Sequence, residues 1–187
     1  MEFNSKHWKA RAWDRYTRAI RRKSKNKTDS ILAAKWSDEV LAIADLEKLV
    51  KWCADHRIVV HFQKKAGGVY YPDDKQVVIS NRMSPRTQEA YLIHECGHHL
   101  IGQKEHHDRF GMGYPQTSPI IQRQFIHRIA CLEEELEAWY RGWKLVKRLH
   151  LSITRSAFDD VRLDCIRSYV KWSLKHSKSD LEDIEDD

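Results

Sequence analysis

Hydrophobic and polar positions along the chain change period several times. From Trp8 to about Arg22, Trp8, Ala12, Tyr16 and Ala19–Ile20 recur at helical spacing. The polar stretch KSKNKTDS (23–30) reads as a linker. Helical structure resumes at Ile31, with a break or cap expected near Ser37. Its better-defined part spans 38–56, where Leu41, Leu46, Leu49, Val50 and Cys53 form a candidate buried stripe. The period then shortens. Ile58–Phe62, Val69–Tyr71 and Val77–Ile79 are β-prone runs separated by Gly67–Gly68 and Pro72–Asp73–Asp74. Short runs joined by tight turns predict a small antiparallel sheet, which needs helices to pack on.

Ser84–Pro85 is a helix start, serine as cap and proline in the first turn, and Gly102 is a terminator. The predicted helix covers Pro85 to Ile101. Residues 103–124 show no clean period and read as a long irregular loop. A long helix follows from about Phe125 to Leu149, with Ile129, Leu132, Leu136, Trp139 or Tyr140, Trp143, Val146 and Leu149 as its stripe. The last helix runs from near Thr154 to about Leu174, with Phe158, Val161, Leu163, Ile166, Tyr169, Val170 and Leu174. The fold class expected is α+β, mostly helical, with a small three-stranded antiparallel sheet ahead of the helix at 85–101. Three regions are expected: a basic N-terminal helix and linker (1–30), a folded domain (31–176) and an acidic tail (177–187).

Composition narrows this only slightly. The chain has 187 residues, 41% of them hydrophobic, which suits one domain with a real core. No apolar run approaches the roughly 18 residues of a membrane helix, and MEFNSKHWKARAW lacks a signal peptide's apolar segment. A cytoplasmic setting is the expectation. Cys53, Cys96, Cys131 and Cys165 form no CxxC pair and read as free thiols. The net charge of +6 is uneven: residues 1–30 carry ten Lys or Arg against three acids, and DLEDIEDD (180–187) holds six acids. The basic start fits a solvated helix face, or contact with an acidic partner or nucleic acid.

The candidate chemistry lies in AYLIHECGHHLIG. His94 and His98 are i and i+4, so on a helix both imidazoles reach one tetrahedral ion. Glu95 sits beside the pair, poorly placed as a ligand but well placed as a base for water that the metal activates. Cys96 and His99 are rotated off that face. Ala90, Ile93 and Leu100–Ile101 flank the motif, and buried polar residues on such a helix call for a partner. Gly97 costs about 1 kcal/mol in helix propensity, which suggests close approach of another element. The expected metal is zinc. A third ligand could come from His106, His107, Asp108, His127 or the acids Glu133, Glu134, Glu135 and Glu137. Glu135 is favoured because it shares a face with Ala138 and Gly142, small residues that would let this helix approach Gly97. Glu134 is the next choice.

The stretch EAYLIHECGHHLIG, followed by LEEELEAWYRG, resembles HExxH zinc metallopeptidases with a downstream glutamate ligand, most closely the ImmA/IrrE-type peptidases of bacteria and phages. The resemblance spans about residues 58–145. It implies a zincin-like fold, with His94, His98 and Glu135 as metal ligands and Glu95 as the catalytic base. It departs at Trp139, where those peptidases carry asparagine or aspartate, and at Arg141–Gly142, where they carry phenylalanine–alanine. The function it implies is zinc-dependent endopeptidase activity on a protein or peptide. Tyr114, His106, His107 and Arg141 are candidates to stabilise an oxyanion, and Val77–Ile79 is a candidate edge strand for holding substrate. The alternatives are a non-catalytic regulatory or nucleic-acid-associated protein on the same scaffold, and a zinc amidohydrolase with a non-peptide substrate.

Overall fold

The computed structural model describes residues 27–64, 67–111 and 124–175, and for 27–36, 103, 104 and 175 the backbone alone. The expected helix at 8–22, the acidic tail and Tyr114 lie outside the described residues. In chain order the elements are α1 (Lys27–Asp55), β1 (Val59–Gln63), β2 (Gly68–Tyr71), β3 (Gln76–Ser80), α2 (Pro85–Ile101), α3 (Gln103–Phe110), α4 (Phe125–Leu149) and α5 (Arg155–Lys175). The protein is mostly helical with one small sheet, an α+β arrangement.

Helix α1 runs 29 residues without the break expected at Ser37, and it begins inside the expected linker. Neither glycine nor proline interrupts it. Asp38 does not cap a new helix; its carboxylate takes Arg86 of α2, with Arg86 Nε 3.1 and 3.2 Å from its two oxygens. The buried face consists of Ala42, Ile43, Leu46, Leu49, Trp52 and Cys53, while Leu41 is exposed.

The sheet is mixed, which corrects the antiparallel expectation. Its order is β1–β3–β2. β2 pairs with β3 antiparallel, Gly68 opposite Ile79 and Tyr71 opposite Gln76. β1 pairs with β3 parallel, Val59 opposite Gln76 and Gln63 opposite Ser80. The reason lies in which run can be covered on both faces. β3 buries Val77, Ile79 and Ser80, whereas β1 exposes Val59 and β2 exposes Val69 and Tyr71. The most apolar run takes the middle and the half-polar runs take the edges. Val77–Ile79 therefore has partners on both sides and offers no free edge to a substrate.

Helix α2 spans the predicted residues. Ser84 Oγ accepts from Thr87 N–H at 3.3 Å, Pro85 occupies the first turn, and Gly102 ends the helix at φ 73°. It is the central helix, packed by α1, the sheet, α4 and α5. Most of its length is buried, polar residues included: Gln88, Glu89, His94 and Glu95 sit among Ala90, Leu92, Ile93 and Cys96. Cys96 turns away from the histidines, its Sγ 3.5 Å from Cys53 Sγ of α1. All four cysteines are free thiols.

Buried acids tie the helices together. Asp45 of α1 accepts from Ser152 N–H and from Lys48 Nζ at 3.0 Å. Glu89 of α2 pairs with Arg86 and adjoins Asp45. Burial, with Asp45 opposing the help of Arg86, pushes the Glu89 carboxyl up from 4.5 to about 9. Its folded value exceeds its unfolded one, so the stability it contributes is complete below about pH 4.5 and is lost as pH rises toward 9. Wild-type stability should fall between pH 5 and pH 9 by on the order of 1 kcal/mol per pH unit from this group. Glu89→Gln, fixed in the neutral form, should flatten that slope in denaturant titrations. Parallel pH curves for the two proteins would contradict it.

The segment expected as irregular loop starts with helix α3; residues 112–123 lie outside the described set. Phe110 of α3 is buried against Ile101 and Ala138. Helix α4 spans the predicted residues, but its buried face differs from the apolar stripe. Trp139 and Val146 are inside, whereas Leu136 and Tyr140 are exposed. Polar His127, Arg128, Glu134 and Glu135 are buried on this helix. On α5, Thr154 Oγ1 accepts from Ala157 N–H at 3.2 Å, and Phe158 is fully buried. Leu163, Val170 and Leu174, expected inside, are exposed. Among the described residues no helix is long and apolar enough to cross a membrane.

Candidate metal centre

Close contact between α2 and α4 builds the site. A Cβ placed on Gly97 would lie 2.0 Å from the Ala138 carbonyl oxygen, and one on Gly142 would lie 2.9 Å from the Ile93 carbonyl oxygen. Gly97 faces Ala138 and Ile93 faces Gly142, so the helices run antiparallel with backbones nearly touching. The small residues sit where the sequence reading placed them. This approach carries Glu135, one turn before Ala138, over the histidine pair.

Three side chains converge. His94 Nε2 is 3.1 Å from Glu135 Oε2, His98 Nε2 is 3.5 Å from Glu135 Oε1, and the two Nε2 atoms are 3.2 Å apart. A tetrahedral ion with bonds of about 2.0–2.1 Å separates neighbouring ligand atoms by roughly 3.3–3.4 Å. The observed separations, which run to different oxygens of Glu135, lie near that figure. His94, His98 and Glu135 could hold a metal ion, and among the described residues they are the one such group of three.

Electrostatics fit the same reading. Burial opposes the charge of Glu135, but hydrogen bonds and charge from His94 and His98 outweigh it and hold the carboxyl well below its ordinary range. Burial likewise opposes a charge on His98, yet Glu134 and Glu135 push its pKa up to about 10. Glu134 and Glu135 thus favour positive charge at His98, in a space where a cation could take its place.

The surroundings orient the candidate ligands. His98 Nδ1 is 3.0 Å from Glu134 Oε1, leaving Nε2 to face the centre. Glu134 therefore stands behind a candidate ligand. His94 is held differently: Trp139 stacks on it with ring centroids 4.2 Å apart and an interplanar angle of 16°. Its Nδ1 has no hydrogen-bond partner among the described residues. Trp139 thus fixes the ring by stacking.

Glu95 lies beside the triad. It is 4% exposed, and burial raises its pKa, against the charges of His94 and His98; Glu135 raises it further. Its carboxylate accepts the Tyr70 backbone N–H of β2. A Cβ on Gly68 would lie 2.7 Å from Glu95 Oε1, so that strand glycine gives the carboxylate its room. Sequence reading assigned Gly68 to a turn and missed both supports. The β2 edge, not β3, adjoins the candidate base.

The other candidate ligands fall elsewhere. His106 Nε2 contacts Glu134 Oε2 at 3.0 Å. His107 and Asp108 are exposed, 3.6 Å from each other. Buried His127 lies against Cys131 and Trp172. Glu133 is exposed, and Glu137 is taken by Arg141 at 2.7 Å. Arg141, a candidate oxyanion partner, is committed to Glu137, Glu105 and the Leu100 carbonyl. His99 bonds Tyr70 Oη at 2.9 Å and takes no part in the triad. Set beside known proteins, the chain matches no protein-family model, no curated protein and no solved structure.

Proposed function

We propose that the protein is a zinc-dependent endopeptidase of the HExxH type with Glu135 as third ligand, similar to the ImmA/IrrE-type peptidases. The observation that carries the reading is the buried carboxylate of Glu95 next to three convergent metal ligands. A site that only binds metal has no use for a second buried acid beside it, which adds its own burial cost. Zinc, when bound, supplies Lewis acidity and makes water acidic enough to ionise near neutral pH. His94, His98 and Glu135 hold the ion. Glu95 accepts a proton from the attacking water and delivers it to the leaving amine. Its raised pKa suits that exchange, because a base must also be able to act as the acid. The Tyr70 N–H and the space at Gly68 keep the carboxylate oriented.

Cleavage of a diverse peptide mixture, read by mass spectrometry, tests this. The wild type should cut, and Glu95→Gln should retain zinc but lose at least about a hundredfold in rate. Zinc-loaded wild type and Glu95→Gln with equal, negligible cleavage would remove the peptidase reading.

A second reading has one observation in its favour. Among the described residues the triad is nearly closed, with side chains of His94, His98 and Glu135 exposed by 7%, 14% and 8%. A closed site suits a structural metal on a non-catalytic scaffold, where the basic N-terminal region would contact nucleic acid or an acidic partner. The same cleavage experiment separates the two.

A further inference from the structure

Glu134 divides its carboxylate between two elements. Oε1 lies 3.0 Å from His98 Nδ1 on α2, and Oε2 lies 3.0 Å from His106 Nε2 on α3. A carboxylate only accepts, so His98 Nδ1 must donate to Oε1; His106 Nε2 lies at contact distance from Oε2, outside hydrogen-bond geometry. With Nδ1 held by Glu134, the nitrogen that His98 can give to a metal ion is Nε2. His106, by holding Oε2, stops the carboxylate from rotating away from His98.

Helix α3 has eight residues, too short to persist in water without support. Its described attachments run to α4: Glu105 to Arg141, Arg109 Nη1 to Glu137 at 3.6 Å, Phe110 into the Ile101–Ala138 cluster, and His106 to Glu134. Of these, only His106 reaches a residue that touches a candidate metal ligand.

We propose that His106 is a positioning residue for His98, acting through Glu134, so that docking of α3 and occupancy of the metal site favour each other. The proposal rests on the three-ligand metal reading above. Coupling of this kind is reciprocal: if docked α3 tightens metal binding, bound metal must stabilise docked α3 by the same factor.

Two measurements test it on the full chain, with zinc alone as the probe. Zinc affinity is read by competition with a chromophoric chelator for wild type, His106→Ala and His106→Gln. His106→Ala should bind zinc about tenfold more weakly, the usual size of an outer-ligand loss. His106→Gln keeps a donor nitrogen at the end of a side chain of similar reach and should recover most of the affinity. Hydrogen exchange is read over residues 103–110 with and without zinc. Zinc should slow exchange there in the wild type and do so much less in His106→Ala. Unchanged affinity in His106→Ala, no recovery in His106→Gln, or exchange in α3 indifferent to zinc would each overturn the proposal while leaving the metal site standing. A wild type that binds no zinc would overturn both.

Discussion

Glu135→Gln should lose its zinc. The carboxylate lies 3.1 Å from His94 Nε2 and 3.5 Å from His98 Nε2, and it is the only anion of the three converging groups. An amide oxygen there keeps the size but removes the charge that offsets a dication in a buried site. Changing an outer partner typically costs 10–100-fold in affinity, so losing the anionic ligand itself should cost at least about a hundredfold. Elemental analysis of protein purified without a histidine tag reads this directly. One zinc per chain in the wild type, near zero in Glu135→Gln and close to one in Glu134→Gln is the expected pattern. The reverse pattern in the two glutamine variants would make Glu134 the ligand. No zinc in the wild type would leave HECGH a chance arrangement on a buried helix.

Gly97→Ala should be the most destabilising single methyl that can be added to α2. Two effects oppose each other. Alanine gains about 1 kcal/mol of helix propensity over glycine. Against it, the new Cβ would lie 2.0 Å from the Ala138 carbonyl oxygen and 2.7 Å from its carbonyl carbon. These are backbone atoms, so no rotamer change relieves the overlap and the helices must move apart. Overpacking in a tight core costs typically 1–3 kcal/mol and sometimes more. With both helices held by further contacts the upper end applies, and a net loss of about 2 kcal/mol is expected in denaturant unfolding. Moving α4 outward also withdraws Glu135, so zinc affinity should fall although no ligand is altered. Wild-type stability and zinc content in Gly97→Ala would show that the helices do not approach as described.

Much of the centre can be read from the chain because its geometry is local or almost so. The i, i+4 histidines need only a helix, and Ser84–Pro85 and Gly102 delimit one. Glu135 could be singled out because Ala138 and Gly142 mark the face that comes close. The rest depended on what packs where. Strand order was misread because adjacent runs joined by turns suggest a meander, whereas burial on both faces decides which run is central. The α4 stripe was misread because apolar periodicity assumes an apolar interior, and here Glu134, Glu135, His127 and Arg128 occupy it. The support of Glu95 by the Tyr70 backbone and by Gly68 leaves no pattern in the sequence, since any residue supplies an N–H and a strand glycine has several uses. The family resemblance remains part of the proposal, carried by the motif and by the converging ligands.

The mixed sheet also has a consequence for the order of assembly. β2 and β3 are joined by the turn Pro72–Lys75 and form from neighbouring residues, a rapid step. β1 must close a longer loop to reach the far side of β3, and it is tied to the end of α1. Pairing of β1 therefore carries the larger loop-closure cost of the two pairings. Glu95 leans on β2, the early strand. The support of the candidate base thus rests on the strand that closes locally, whereas the candidate ligand set is drawn from two helices far apart in the chain.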